Sequence, residues 1–164
     1  MRYLIVFSLL LAGCAGFDGR GLVPGVSTAA EVEALMGPVA ERRAGRDGES
    51  VLWFSRQPYG RENYAARIGA DGKLVSLEQR LTVENVTHVV PNTWTKKEVR
   101  ELFGPPFMVS TLPRLEREVW EYQLREVDFK WKLWVQFSSD GVVREVLQMR
   151  HPDMDPPGGD GGRA

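Results

Sequence analysis

The sequence predicts an α+β protein of two tandem repeats, each a short helix followed by an antiparallel three-stranded sheet. Three observations carry this: residues recur at a fixed spacing, each repeat opens on a helix start-and-stop signal, and each continues in alternating apolar segments joined at Asp-Gly turns. Comparing each residue with the one 67 positions later matches Val23 with Val90, Pro24 with Pro91, Thr28 with Thr95, Glu31 with Glu98, Val32 with Val99, Leu35 with Leu102, Gly37 with Gly104, Pro38 with Pro105, Glu49 with Glu116 and Trp53 with Trp120. Ten identities in 31 positions exceed the roughly two that composition alone supplies. After a two-residue insertion the match resumes at Asp71-Gly72 with Asp140-Gly141 and ends at Gln79 with Gln148. The pattern is an internal duplication.

The helices come first in each repeat. Thr28 with Glu31 and Thr95 with Glu98 have the spacing of a capping box, the threonine oxygen accepting from the backbone and the glutamate reaching back. Val32, Leu35, Met36 and Val99, Leu102, Phe103 then form one apolar stripe each. Gly37 and Gly104 predict a left-handed residue at the helix end, and Pro38 and Pro105 forbid continuation. Helices this short need a sheet to lie on. Segments 51–57, 63–68 and 74–83 predict the strands of the first repeat, and 118–124, 128–137 and 142–149 those of the second. Along the 128–137 strand, Phe129, Trp131, Leu133, Val135 and Phe137 fall on one face, and Lys130, Lys132, Trp134 and Gln136 on the other.

The ends carry the address. Arg2 precedes a nine-residue apolar run over 4–12, too short to span a bilayer, which takes about 20 residues. Residues 1–13 therefore predict a signal peptide. The sequence Leu11-Ala12-Gly13-Cys14 resembles the lipobox of bacterial lipoproteins. That resemblance implies that Cys14 is alkylated by a diacylglycerol, that the chain is cut before it, and that the new amino group is acylated. Ala15, where inner-membrane lipoproteins tend to carry Asp, favours the outer membrane. The glycine-rich stretch 14–22 is expected to be a flexible tether, residues 23–87 and 88–151 the two repeats, and 152–164 a disordered tail.

Composition sets limits on function. The 164 residues are 43% apolar and 26% charged, with 21 Lys+Arg against 22 Asp+Glu. That excludes a wholly disordered chain and provides no general electrostatic basis for nucleic-acid binding. One cysteine and two histidines exclude a disulfide framework and make a zinc site hard to assemble. No G-x-S-x-G, H-E-x-x-H or phosphate-cradling glycine loop occurs, and no small-molecule substrate or cofactor is implied. His88 and His151 lack convergent partners, and the capping boxes account for Glu31 and Glu98. The expectation is a protein without enzymatic activity.

What remains is surface chemistry. Trp134 lies by alternation on the Lys130 and Lys132 face, and a tryptophan among cations is a candidate partner-binding group. The same lysines suit anionic lipid head groups or plain solvent. Trp94 is a second candidate, although at the position before the Thr95 cap it also suits a hydrophobic staple onto Val99. Trp53 and Trp120 are expected to be repeated core residues.

The stretches Val26-Ser-Thr-Ala-Ala-Glu-Val-Glu-Ala-Leu-Met-Gly-Pro38 and Thr93-Trp-Thr-Lys-Lys-Glu-Val-Arg-Glu-Leu-Phe-Gly-Pro105, each followed by a Trp strand and an Asp-Gly turn, resemble the SmpA/OmlA (BamE-like) lipoprotein module. The tandem form is similar to that of β-lactamase inhibitory protein. This resemblance implies an outer-membrane lipoprotein facing the periplasm that binds protein, with a role in envelope integrity or β-barrel assembly and assembly proteins as partners. Two alternatives from other classes stand beside it: inhibition of a periplasmic enzyme, which the likeness to the tandem inhibitor implies, and a structural protein that binds the cell wall.

Overall fold

The computed structural model describes residues 17–126 and 129–150. The predicted leader, Cys14, His151 and the 152–164 tail lie outside the described residues. The elements run α1 (Ala29–Met36), β1 (Glu41–Ala44), β2 (Ser50–Ser55), β3 (Asn63–Ile68), β4 (Leu74–Gln79), α2 (Val83–Val86), α3 (Lys96–Phe103), β5 (Met108–Leu112), a 3-10 turn (Pro113–Leu115), β6 (Arg117–Glu126), β7 (Phe129–Phe137) and β8 (Val143–Arg150). They form two four-stranded antiparallel sheets, ordered β1-β2-β3-β4 and β5-β6-β7-β8. The protein is thus α+β, with a short helix before each sheet.

Each sheet has one strand more than predicted. β1 and β5 follow closely on the helix-ending Gly-Pro, and neither Glu41-Arg42-Arg43 nor Met108-Val109-Ser110 has the apolar-polar sequence alternation of a half-buried strand. They are strands because β2 and β6 offer them a ladder, which no local pattern reports. The predicted 74–83 strand also stops early, at Gln79. Thr82 accepts from Asn85 N at 3.1 Å and Asn85 Nδ2 donates to Arg80 O at 2.7 Å. These local bonds wind Val83–Val86 into a helical turn against the β-branched preference.

Both capping boxes form. Thr28 Oγ1 accepts from Glu31 N at 3.3 Å while Glu31 Oε2 accepts from Thr28 N at 2.7 Å, and Thr95 with Glu98 repeats the arrangement. Gly37 (φ 81°, ψ −156°) and Gly104 (φ 75°, ψ −159°) end the helices outside the left-handed helical region expected of them. They occupy instead a region open essentially to glycine alone. The Thr28 backbone N–H holds the Glu31 carboxyl below the ordinary value of 4.5, and the Thr95 hydroxyl does the same for Glu98. The Lys96 ammonium lowers Glu118 likewise.

Carboxyls depressed in the folded state stabilise it above their unfolded pKa, and that stability goes as pH falls through the folded values. The urea midpoint is therefore expected to be flat from pH 7 to about 5 and to drop below about 4.5. Glu98→Gln, which keeps a side-chain acceptor but cannot titrate, is expected to lower the midpoint somewhat at pH 7 and to make the drop shallower, the two curves converging at low pH. An unchanged drop in this variant would count against the cap as a source.

The helix and four strands of one unit correspond in order to those of the other, with one break in phase. The bonds Leu74 N to Ser27 O and Val143 N to Trp94 O correspond, as do Ala29 N to Gly72 O and Lys96 N to Gly141 O. So do Ala40 N to Trp53 O and Phe107 N to Glu121 O. The last pair makes Glu121, not Trp120, the counterpart of Trp53. The hairpin between β5 and β6 holds one residue more, and a one-residue slip turns a strand's side chains over. Trp53 and Trp120 are both buried, as expected of core residues, but they point to opposite faces of their sheets, so the sequence identity is not a structural equivalence.

The first core joins Val32 and Met36 of α1 to Leu52, Phe54, Ala66, Ile68 and Leu74. The second joins Val99, Leu102 and Phe103 of α3 to Trp120, Tyr122, Leu124, Leu133, Val135 and Phe137. α3 also closes on the first sheet, on the face away from α1. Gly104 meets Trp53 there, and buried Asn63 donates through Nδ2 to Phe103 O at 2.8 Å and Pro105 O at 3.1 Å. Those carbonyls belong to the helix end, which has no partners of its own. Arg100 pairs with Glu41 at 2.6 Å while lying 5.5 Å over the Trp120 ring. Arg61 Nη1 donates to Gln123 Oε1 at 2.6 Å and Gln57 Oε1 accepts from Gln123 N at 2.9 Å.

From Phe17 onward the predicted tether lies on the first unit. Arg56 donates to Phe17 O at 3.0 Å and sits 5.0 Å over its ring. Leu22 packs against the first core, and Gly25 N donates to Leu74 O at 2.7 Å. Phe17 and Leu22, within the expected tether, thus make contacts with the first unit. Here glycine serves close approach: Gly19 runs against Leu77 and Met36 where a Cβ has no room.

Candidate functional site

Trp134, Lys132 and Lys130 stand on the face of the second sheet that points away from α3. Across from Trp134 in the register is Glu121, whose side chain is only 5% exposed. Trp134 Nε1 donates to Glu121 Oε2 at 2.9 Å, and Lys132 Nζ lies 3.3 Å from Oε1. The carboxylate answers both the indole N–H and the ammonium, so these groups form a closed cluster on a half-buried tryptophan. Lys130 is half-buried and opposite Arg125. Trp94 is half-buried against the second core, which contains Val99. His88 is exposed after α2, and Glu31 and Glu98 sit in different units, each spent on its own cap. Cys14 lies outside the described residues.

Two surface features lie beyond those residues. One is a cleft of about 560 Å³ between the β1–β2 hairpin and α3, lined by Arg43, Arg46, Lys97, Glu101, Val51 and Trp53. Arg43 reaches Glu41 at 3.7 Å and Glu101 at 3.9 Å, so its charge is largely answered from within.

The other is the rim formed by β5 and the turn after it. Phe107 is 38% exposed, Met108 45%, Val109 53% and Leu115 57%. No ionisable residue occurs between Pro105 and Pro113. A hollow of about 520 Å³ at its end is lined by Leu112, Pro113, Arg114 and Leu115. The corresponding edge of the first unit is charged and engaged: Arg42 pairs with Glu33 at 2.7 Å, and Glu41 with Arg100. Large apolar groups gathered at one exposed edge mark interaction surfaces. The usable signal in the sequence was the contrast at the repeat spacing, Glu41-Arg42-Arg43 against Met108-Val109-Ser110. It was missed because both stretches lay outside any predicted strand.

Among the described residues no group of three or more His, Cys, Asp or Glu side chains is placed to hold a metal ion. No helix among them is long and apolar enough to cross a membrane.

No family model matches the chain, and no curated protein matches it. The chain is similar to the crystal structure of a DUF4309 family protein, YjgB from Bacillus subtilis, at 18% identity and a TM-score of 0.31, over 80% of this chain and 84% of that one. The resemblance to the SmpA/OmlA family is not upheld. The residues that carried it are a capping box, an apolar stripe and a Gly-Pro stop, which any short helix leading into a sheet can use. The correspondence is one of local construction. The assembly role and assembly partners implied by that family go with it.

Proposed function

We propose that this chain is a non-enzymatic lipoprotein, anchored through acylated Cys14 on the periplasmic side of the outer membrane, that binds another protein through the rim of β5 and the following turn. The observation that carries the reading is the run of exposed apolar side chains Phe107, Met108, Val109 and Leu115 along an uncharged edge. Acyl chains contribute about 0.8 kcal/mol per buried CH₂, so three hold a chain on the bilayer lastingly. Confinement to a surface raises the effective concentration for a membrane-bound partner, and a modest contact then suffices.

The test has two arms. Cys14→Ser is expected to move the protein from the membrane pellet to the soluble fraction, and retention in the pellet would remove the anchor. A photo-crosslinking residue at Val109 or Leu115 of the full chain is expected to capture one dominant protein in native cells. The same residue at Tyr59, 94% exposed on the first unit, is expected to capture none. Equal capture at both places, or none at the rim, would refute the binding surface.

A further inference from the structure

β5 is paired on one side only, with β6, so its other side presents unpaired backbone N–H and C=O groups. Proteins guard such edges with charge or cover them. β1 does both, through Glu41, Arg42 and Arg43 and the α3 residues Arg100 and Glu101. β5 does neither. Its side chains face both ways, Met108 and Ser110 with Glu121 and Val119, Val109 and Thr111 with Trp120 and Glu118. Where β5 ends, Arg114 is the one charged residue lining the apolar hollow, and it makes no ion pair with any described residue. Glu116 lines a separate hollow.

Resting on the protein-binding reading above, we propose that the open edge of β5 takes up an extended segment of a partner protein as a fifth strand of the second sheet. The segment is uncharged along Met108–Leu112 and brings an apolar side chain to the hollow and a carboxylate to Arg114. Main-chain bonds supply affinity in such strand addition, and the pockets supply specificity. A second copy of this chain fits less well. In an antiparallel β5-to-β5 pair centred on Ser110, Arg114 meets the Pro105-Pro106-Phe107 stretch, which has no carboxylate and two residues without an N–H.

The probe is the acetylated peptide Thr-Val-Thr-Val-Thr-Val-Glu, added to the full acylated chain in detergent micelles, with amide hydrogen exchange read along the sequence. Exchange at the outward amides of Met108–Leu112 is expected to slow by about tenfold. A peptide ending in Lys is expected to have less effect, and one with a central Pro none. Val109→Lys, a substitution at an exposed position, is expected to abolish the slowing while leaving the urea midpoint unchanged. No slowing at β5, or equal slowing by all three peptides, overturns the proposal. Slowing that grows with protein concentration and needs no peptide also overturns it, because the occupant is then a second copy. If rim crosslinks to a partner persist without peptide protection, only the strand-addition mode falls; if the crosslinks fail too, the binding reading falls with it.

Discussion

Gly104→Ala is expected to lower the unfolding free energy by about 3–5 kcal/mol, against about 1–3 for the equivalent Gly37→Ala. Both positions hold the same glycine-only backbone conformation, so both variants incur the strain. They differ in what a Cβ would meet. At Gly37 the nearest atom is Phe17 Cε1 at 3.4 Å, an ordinary contact. At Gly104 the Cβ would overlap the Trp53 ring, coming within 2.6 Å of Cδ2. The difference between the two urea-unfolding free energies therefore isolates the packing of α3 onto the first sheet. Trp53→Leu, costly alone, is expected to cost less in the Gly104→Ala background, since the smaller side chain relieves the overlap. Equal losses for the two glycine variants would mean that Trp53 does not bear on α3 as described.

Asn63→Asp is expected to cost about 3–5 kcal/mol at pH 7, the range for an uncompensated buried charge. The change is nearly isosteric, but it replaces an N–H₂ group that donates to Phe103 O and Pro105 O with an anion facing those two oxygens. Asn63→Leu, which leaves the carbonyls unsatisfied without adding charge, is expected to cost about 2–4 kcal/mol. The two variants separate by pH. Burial raises the introduced carboxyl's folded pKa, so its destabilisation is present above the unfolded value and shrinks as pH falls toward about 4. The Asn63→Leu penalty, measured against wild type at each pH, is expected to stay flat. A pH-independent Asn63→Asp penalty would indicate that water reaches the site.

The parts of this fold legible in the sequence are those decided within a few residues. Thr28 with Glu31 and Thr95 with Glu98 place the helix starts, and Asp71-Gly72 and Asp140-Gly141 place two hairpins, because each depends on side chains meeting their own backbone. β1 and β5 were not legible, since a strand with no buried face is made by its neighbour. The pairing of Trp53 with Trp120 misled for a related reason: one extra residue in a hairpin leaves the identity in place and reverses its meaning. Trp134 and Lys132 were rightly placed on the outer face, but the carboxylate joining them sits thirteen and eleven positions away on another strand. The exposed rim was hidden in the same way, because exposure depends on what fails to cover a segment.

The phase break has a consequence for growth by repetition. The second unit docks on the first head to tail, a helix end on one meeting the outer sheet face of the other, and such a heterologous contact does not close on itself. Continued from molecule to molecule, it would build a filament, each chain's Gly37 end seating on the next chain's second sheet. Both ends are stopped. Phe17 lies against Gly37, and the place equivalent to Trp53 holds Glu121, buried and already bound to Trp134 and Lys132. Neither of the two faces that such continuation would use therefore repeats the contact of Gly104 with Trp53.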